Sequence, residues 1–131
     1  MAKSIHSMIR VFDLESSIDF YNKALSLTVK DRFDFDTFTL VYLGNEKSDF
    51  EIELTYNKGN INKYTHGNGY GHLAVSVNDI RATHKKMKEL DLNPGDIKEM
   101  VCGNATLAVM FFISDPDGYK IEFIESAGRF K

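Results

Sequence analysis

With a single cysteine, Cys102, in 131 residues, the chain cannot close an intrachain disulfide, and nothing in it points to an oxidising compartment. A reducing cytoplasm is the expected setting. Glycine and proline are sparse, at 9 and 2, and no low-complexity stretch or charge block appears. The longest uninterrupted apolar run is the seven residues from Leu107 to Ile113, far short of the roughly 20 that cross a bilayer. The start, Met1-Ala2-Lys3-Ser4, lacks the apolar core and small-residue cleavage site of a secretion signal. A soluble protein with no membrane partner is expected. Sixteen Lys and Arg stand against 19 Asp and Glu, a net charge of −3, with both signs interleaved. No cationic surface for a polyanion is indicated, and nucleic acid is not an expected ligand.

What is present is enough for one core. A chain of this length buries roughly 68% of the surface it exposes when unfolded, and 43% hydrophobic with 12% aromatic residues can fill that interior. Two segments have helical periodicity. Leu14, Ile18, Tyr21 and Leu25 follow Asp13, a candidate N-cap, and predict a helix over about 14–26. Ile80, Thr83, Met87 and Leu90 share a second face, with Asn78 or Asp79 as cap and Asn93-Pro94-Gly95 as terminator. The remaining pattern is short and β-like: Thr28–Phe35, Thr37–Leu43, Phe50–Tyr56, Leu73–Val77, Thr106–Ile113 and Tyr119–Ile124. Gly44-Asn45 and Asp115-Pro116-Asp117-Gly118 read as the turns between them.

In order, the elements read strand, helix, three strands, twice over. Near the start of each half a histidine sits in an apolar strand, His6 in the first and His72 in the second. Near the end of each stands an Ile-Glu pair, Ile52-Glu53 and Ile121-Glu122. A strand histidine is ordinarily a hydrogen-bonded core residue, and a strand glutamate ordinarily faces water. Duplication explains repeated hydrophobics; it does not explain why each copy keeps one His and one Glu. Two imidazoles and two carboxylates make a set suited to an octahedral divalent first-row metal with two positions left for water, whereas structural zinc more often takes cysteine. Glu51, with Lys120 as its counterpart, reads as a solvated strand residue, and His84 as an exposed residue among lysines. His66 falls in the Lys58–Asn68 segment that joins the halves. Cys102 has no His or Asp arranged near it in sequence.

Taken together, His6-Ser7-Met8-Ile9-Arg10-Val11, Ser17-Ile18-Asp19-Phe20-Tyr21, Ile52-Glu53-Leu54-Thr55-Tyr56-Asn57, Tyr70-Gly71-His72 and Asp115-Pro116-Asp117-Gly118-Tyr119-Lys120-Ile121-Glu122 resemble the glyoxalase I, or lactoylglutathione lyase, family of the vicinal oxygen chelate superfamily. The resemblance spans nearly the whole chain. It implies an α+β fold of two tandem βαβββ modules, about 1–62 and 67–131 within a single domain, forming a curved mixed sheet around a metal. It implies a homodimer with sites at the subunit interface, where His6 and Glu53 of one chain meet His72 and Glu122 of the other. The reaction implied is isomerisation of the methylglyoxal–glutathione hemithioacetal to S-lactoylglutathione, by metal-assisted proton transfer through an ene-diolate, which detoxifies methylglyoxal. Glu122 resembles the family's principal base, with Glu53 facing it across the substrate. The short form resembles the bacterial class that uses nickel (Ni2+) or cobalt (Co2+) rather than zinc (Zn2+), with glutathione as thiol cosubstrate. Arg10 and Asn57 match positions that hold the thiol's γ-glutamyl end.

Two departures bear on the thiol. Val101-Cys102-Gly103-Asn104, read as the loop before the seventh strand, has no basic residue, and Asn68 stands where some members carry arginine. Fewer charge-assisted hydrogen bonds to a carboxylate-bearing thiol follow. Two other functions fit the same fold: a racemase like methylmalonyl-CoA epimerase, which lacks the Glu-Leu-Thr-Tyr-Asn run, and a metal-free sequestering protein of the drug-resistance type, which the four intact ligand positions disfavour.

Overall fold

The computed structural model describes all 131 residues and divides them into two compact units, residues 1–67 and 68–131. The first contains β1 (His6–Arg10), α1 (Leu14–Leu25), β2 (Thr28–Asp34), β3 (Phe38–Asn45) and β4 (Ser48–Asn57). The second contains β5 (His72–Val77), α2 (Ile80–Glu89), β6 (Lys98–Cys102), β7 (Ala105–Ser114) and β8 (Lys120–Glu125), ending in a 3-10 turn, Gly128–Phe130. Each unit is therefore a βαβββ module, as the repeat predicts. Each has its own four-stranded mixed sheet, ordered β1-β4-β3-β2 and β5-β8-β7-β6, in which only the first strand runs parallel to its neighbour.

Local chemistry explains both helices. The Asp13 carboxylate accepts from the Ser16 amide at 3.0 Å and starts α1. Ser26 then adopts the left-handed conformation, and its amide and that of Leu27 close back onto Asn22 and Tyr21 carbonyls. Asp79 caps α2 through the Ala82 amide at 2.9 Å, and Glu125 on β8 accepts from the first amide of that helix, Ile80. This helix ends at Glu89, one residue short of the predicted face, because Asp91 and Asn93 take left-handed backbone before Pro94 is reached.

One face of each sheet is interior. In the first unit Ile9, Val11, Val41, Leu43, Ile52 and Leu54 are buried, together with Leu14, Phe20 and Tyr21 of α1. In the second, Phe111 stacks on Phe123 at 4.8 Å, and His84 of α2 meets the Phe111 ring edge-on at 4.9 Å. His84 is thus half-buried, with Nε2 2.8 Å from the Gly95 carbonyl, and not the exposed residue expected from its lysine neighbours. Because strand side chains alternate, the residues between these interior positions project from the opposite face.

The turns depart from the sequence reading in two places. Gly44 and Asn45 lie inside β3, and the hairpin turns at Glu46-Lys47, where the Asn45 side chain accepts from the Lys47 amide at 2.9 Å. Val101 and Cys102, read as loop, belong to β6, whose hairpin with β7 turns at Gly103-Asn104 with Gly103 at a φ of 62°. The Asp115–Gly118 turn stands as predicted. The buried Asp115 carboxylate accepts from the amides of Asp117 and Tyr119, both at 2.9 Å, and delivers the chain into β8.

Candidate metal centre

His6 on β1 and Glu53 on β4 meet on the face of the first sheet opposite α1. The parallel register sets His6 beside Glu51 and Met8 beside Glu53, so Glu53 stands two residues beyond the partner of His6, on the same face. The side chains close that offset: His6 Nε2 lies 2.7 Å from Glu53 Oε2. The second unit repeats the construction. His72 pairs with Lys120 and Ala74 with Glu122, and His72 Nε2 lies 3.4 Å from Glu122 Oε1. The residue opposite the histidine differs between units, Glu51 against Lys120, while the histidine and the carboxylate two residues on do not.

Both carboxylates are costly to keep. Glu53 is 9% exposed and Glu122 7%, each between fully apolar neighbours on its strand. A buried carboxylate loses several kcal/mol of solvation, and an apolar residue of similar volume would often serve the fold as well. Each histidine keeps about a third or more of its side-chain surface open. An imidazole nitrogen and a carboxylate oxygen sharing one opening are a donor pair that a divalent first-row cation accepts. No group of three or more His, Cys, Asp or Glu side chains gathers in the chain; each unit presents a pair.

A residue that sequence reasoning passed over completes the first pair. Tyr42 on β3 is the cross-strand partner of Glu53. Its ring stands edge-on to His6 at 5.8 Å. Burial pushes the Tyr42 hydroxyl above the ordinary phenol value, with the neighbouring Glu53 carboxylate adding to the effect. Phe112 holds the corresponding place in the second unit, opposite Glu122 and edge-on to His72 at 5.3 Å. Only the pairing register would have singled out Tyr42, since one tyrosine in an aromatic strand carries no signal of its own.

Arg10 and Asn57 lie on the same face of the first sheet. Arg10 pairs with Thr55, so Asn57 stands two residues beyond its partner, in the same relation that His6 bears to Glu53. Four residues of strand separate the two pairs, roughly 13 Å at ~3.3 Å per residue. Arg10 is exposed, and Asn57 donates to the Tyr64 hydroxyl at 3.0 Å. The corresponding positions of the second unit are Ser76 and Ser126, so this feature is not duplicated. Cys102 is exposed at the end of β6, and His66 is half-buried in the segment after β4.

Comparison with known proteins bears on both the fold and the site. The model of the Glyoxalase/Bleomycin resistance protein/Dioxygenase superfamily matches residues 3–123. The lactoylglutathione lyase of Haemophilus influenzae is 44% identical over 126 residues, covering 93% of this chain and 91% of that protein. The lactoylglutathione lyase of Escherichia coli O157:H7 is 40% identical over 131 residues, with 95% of each covered. Among solved structures, the trypanothione-dependent glyoxalase I of Leishmania major superposes with a TM-score of 0.75 at 37% identity, covering 95% of this chain and 87% of that one.

Proposed function

The chain belongs to the Glyoxalase/Bleomycin resistance protein/Dioxygenase superfamily, and from that membership we propose that its two His–Glu pairs are the halves of one divalent-metal site serving a lactoylglutathione lyase reaction. The chain is a glyoxalase I: it isomerises the hemithioacetal of methylglyoxal and glutathione to S-lactoylglutathione, removing methylglyoxal. What supports the site assignment above all is that the two units differ around the pairs and agree at them, in the same strand register.

His6, Glu53, His72 and Glu122 would hold the cation. When bound, it supplies positive charge that stabilises the negative charge developing on the substrate oxygens. A set of two imidazoles and two carboxylates, without thiolate, would favour nickel or cobalt over zinc. Residues 1–131 act as a single domain of two repeats, and the pairs come from two subunits of a homodimer. Glu122 acts as base: it takes the proton from the carbon bearing sulfur and hydroxyl and returns it to the neighbouring carbon. The hydroxyl proton passes to the former ketone oxygen, so the isomerisation needs no oxidant, reductant or added water. Glu53 holds its place across the substrate. Arg10 and Asn57, on the same face of the first sheet as the first His–Glu pair, take the γ-glutamyl end of the thiol.

The test is lactoyl-thioester formation from methylglyoxal by apo protein reloaded separately with nickel, cobalt or zinc, using glutathione and trypanothione as thiols. Turnover with nickel and cobalt, with glutathione accepted and Glu122→Gln slowed ~10²–10⁴-fold, is the expected result. Equal rates with zinc overturn the metal preference. Full activity and stoichiometric metal in both Glu53→Gln and His72→Ala overturn the ligand set.

A further inference from the structure

We propose that Tyr64 is a positioning residue for thiol recognition: it holds the Asn57 carboxamide so that the carboxamide oxygen accepts the ammonium of a γ-glutamyl end whose carboxylate pairs with Arg10. This rests on the reading above that Arg10 and Asn57 take that end of the thiol. A γ-glutamyl end carries an α-carboxylate and an α-ammonium on one carbon. The Arg10 guanidinium suits the first and repels the second, so the ammonium needs an acceptor beside it.

Asn57 is the last residue of β4 and lies opposite Phe38, whose ring stacks on Phe35 at 4.6 Å. That neighbour has no side-chain polar group to orient an amide. Beyond Asn57 the chain turns back. The Asn60 amide donates to the Asn57 carbonyl at 3.3 Å, and Gly59 takes the positive φ of 79° that this turn requires. The Asn60 side chain then donates to the Asn62 carbonyl at 2.8 Å and accepts from the Asn62 amide at 3.3 Å. Tyr64 is thereby returned to the end of the strand, where Asn57 Nδ2 donates to its hydroxyl at 3.0 Å, both residues half-buried. This bond engages the nitrogen and leaves the oxygen of the same carboxamide to accept. An ammonium at Oδ1 and the hydroxyl at Nδ2 select the same orientation of the amide, so the loop prepares it before the ligand arrives. Arg10 bears the same register to Asn57 that His6 bears to Glu53, an offset across which His6 Nε2 comes within 2.7 Å of Glu53 Oε2. A cation on β1 and an acceptor on β4 so placed can meet on one small zwitterion.

The experiment is calorimetric titration of the nickel-loaded protein with two stable thioethers, S-methylglutathione and its analogue with hydrogen in place of the α-amino group. The parent should bind the first ~10–100-fold more tightly. Tyr64→Phe should weaken S-methylglutathione about five- to tenfold and the deaminated analogue less than about twofold, narrowing that ratio. Added to Asn57→Ala, which narrows the ratio by itself, it should cost nothing more. In turnover of the glutathione hemithioacetal Tyr64→Phe should raise KM with kcat unchanged. Equal weakening of both thioethers by Tyr64→Phe, no weakening of either, or a loss that persists beside Asn57→Ala overturns the inference and leaves Arg10 and Asn57 their place. A parent that binds the two thioethers equally overturns it as well. Unchanged binding of both thioethers in Asn57→Ala refutes instead the reading that Asn57 takes the γ-glutamyl end, and the inference with it.

Discussion

Asp115 belongs to neither His–Glu pair and lies seven residues before Glu122, yet its removal should damage both stability and the site. Its carboxylate is buried and accepts two backbone amides, Asp117 and Tyr119, each at 2.9 Å. The Gly118 amide donates to the Asp115 carbonyl at 3.0 Å, and the Asp115 amide to the Tyr119 carbonyl at 2.9 Å. This is the turn that starts β8 and so sets where Glu122 falls against Ala74 and Phe112. Hydrogen bonds to a charged acceptor contribute about 1.5–3 kcal/mol each. Asp117 is only partly buried and regains water in a truncated variant, whereas Tyr119 is buried and does not. A net loss of roughly 3–4 kcal/mol in Asp115→Ala follows, which for a domain of this size lowers the melting temperature by roughly 10–15 °C. Asp115→Asn keeps an acceptor oxygen without the charge and should lose about half as much. Thermal melts by circular dichroism measure the first effect, and nickel affinity of the folded variant at 20 °C or so measures the second, expected to fall because the start of β8 is no longer pinned. An Asp115→Ala melting temperature within about 3 °C of the parent would refute the reasoning, as would an Asn variant no better than the Ala variant.

Subunit mixing tests the dimeric site. Glu53→Gln and Glu122→Gln homodimers should each be inactive, and a mixture allowed to exchange subunits should recover about a quarter of parental activity, because heterodimers carry one intact site of two; no recovery refutes sites shared between subunits. In the first unit the buried Thr39 hydroxyl donates to Asp34 at 2.7 Å and, with Arg32, holds that carboxyl below its ordinary value. The stability this gives is present above the ordinary carboxylate value and lost as pH falls through the lowered one, so Thr39→Val should flatten the acid dependence of the melting temperature, and an unchanged slope refutes it. Asn104→Lys, at the β6–β7 turn, should lower KM for the glutathione hemithioacetal with little change in kcat; an unchanged KM shows that this turn does not reach the thiol.

The helices and the His–Glu pairs were legible because their signals are local or repeated. Asp13 and Asp79 announce their helices by type and position, and His6, Glu53, His72 and Glu122 stand out because the halves agree. β6 escaped because all five of its residues are exposed, so no alternation of polar and apolar side chains marks it. Gly44 misled because it is a buried strand glycine rather than a turn glycine. His84 misled because an aromatic ring across the unit, Phe111, is invisible to its lysine-rich neighbourhood in sequence.

Tyr42 escaped for a different reason, one that bears on reading any duplicated fold. Agreement between repeats picks out what both halves must do, which here is to present an imidazole and a carboxylate. It discards every position where the halves differ. A reaction that moves a proton in one direction and grips a thiol at one end is asymmetric, so its asymmetry must reside at the discarded positions. Three of them lie on the site face of the first unit: Tyr42 against Phe112, Arg10 against Ser76, and Asn57 against Ser126. The first sets a phenol against a phenyl ring across the strand from the two carboxylates, and the other two give one half a cation and a carboxamide where the other half has serines. On the proposed site the His–Glu pairs mark where the metal is held, and these three differences are the places on that face where one half can treat a substrate differently from the other.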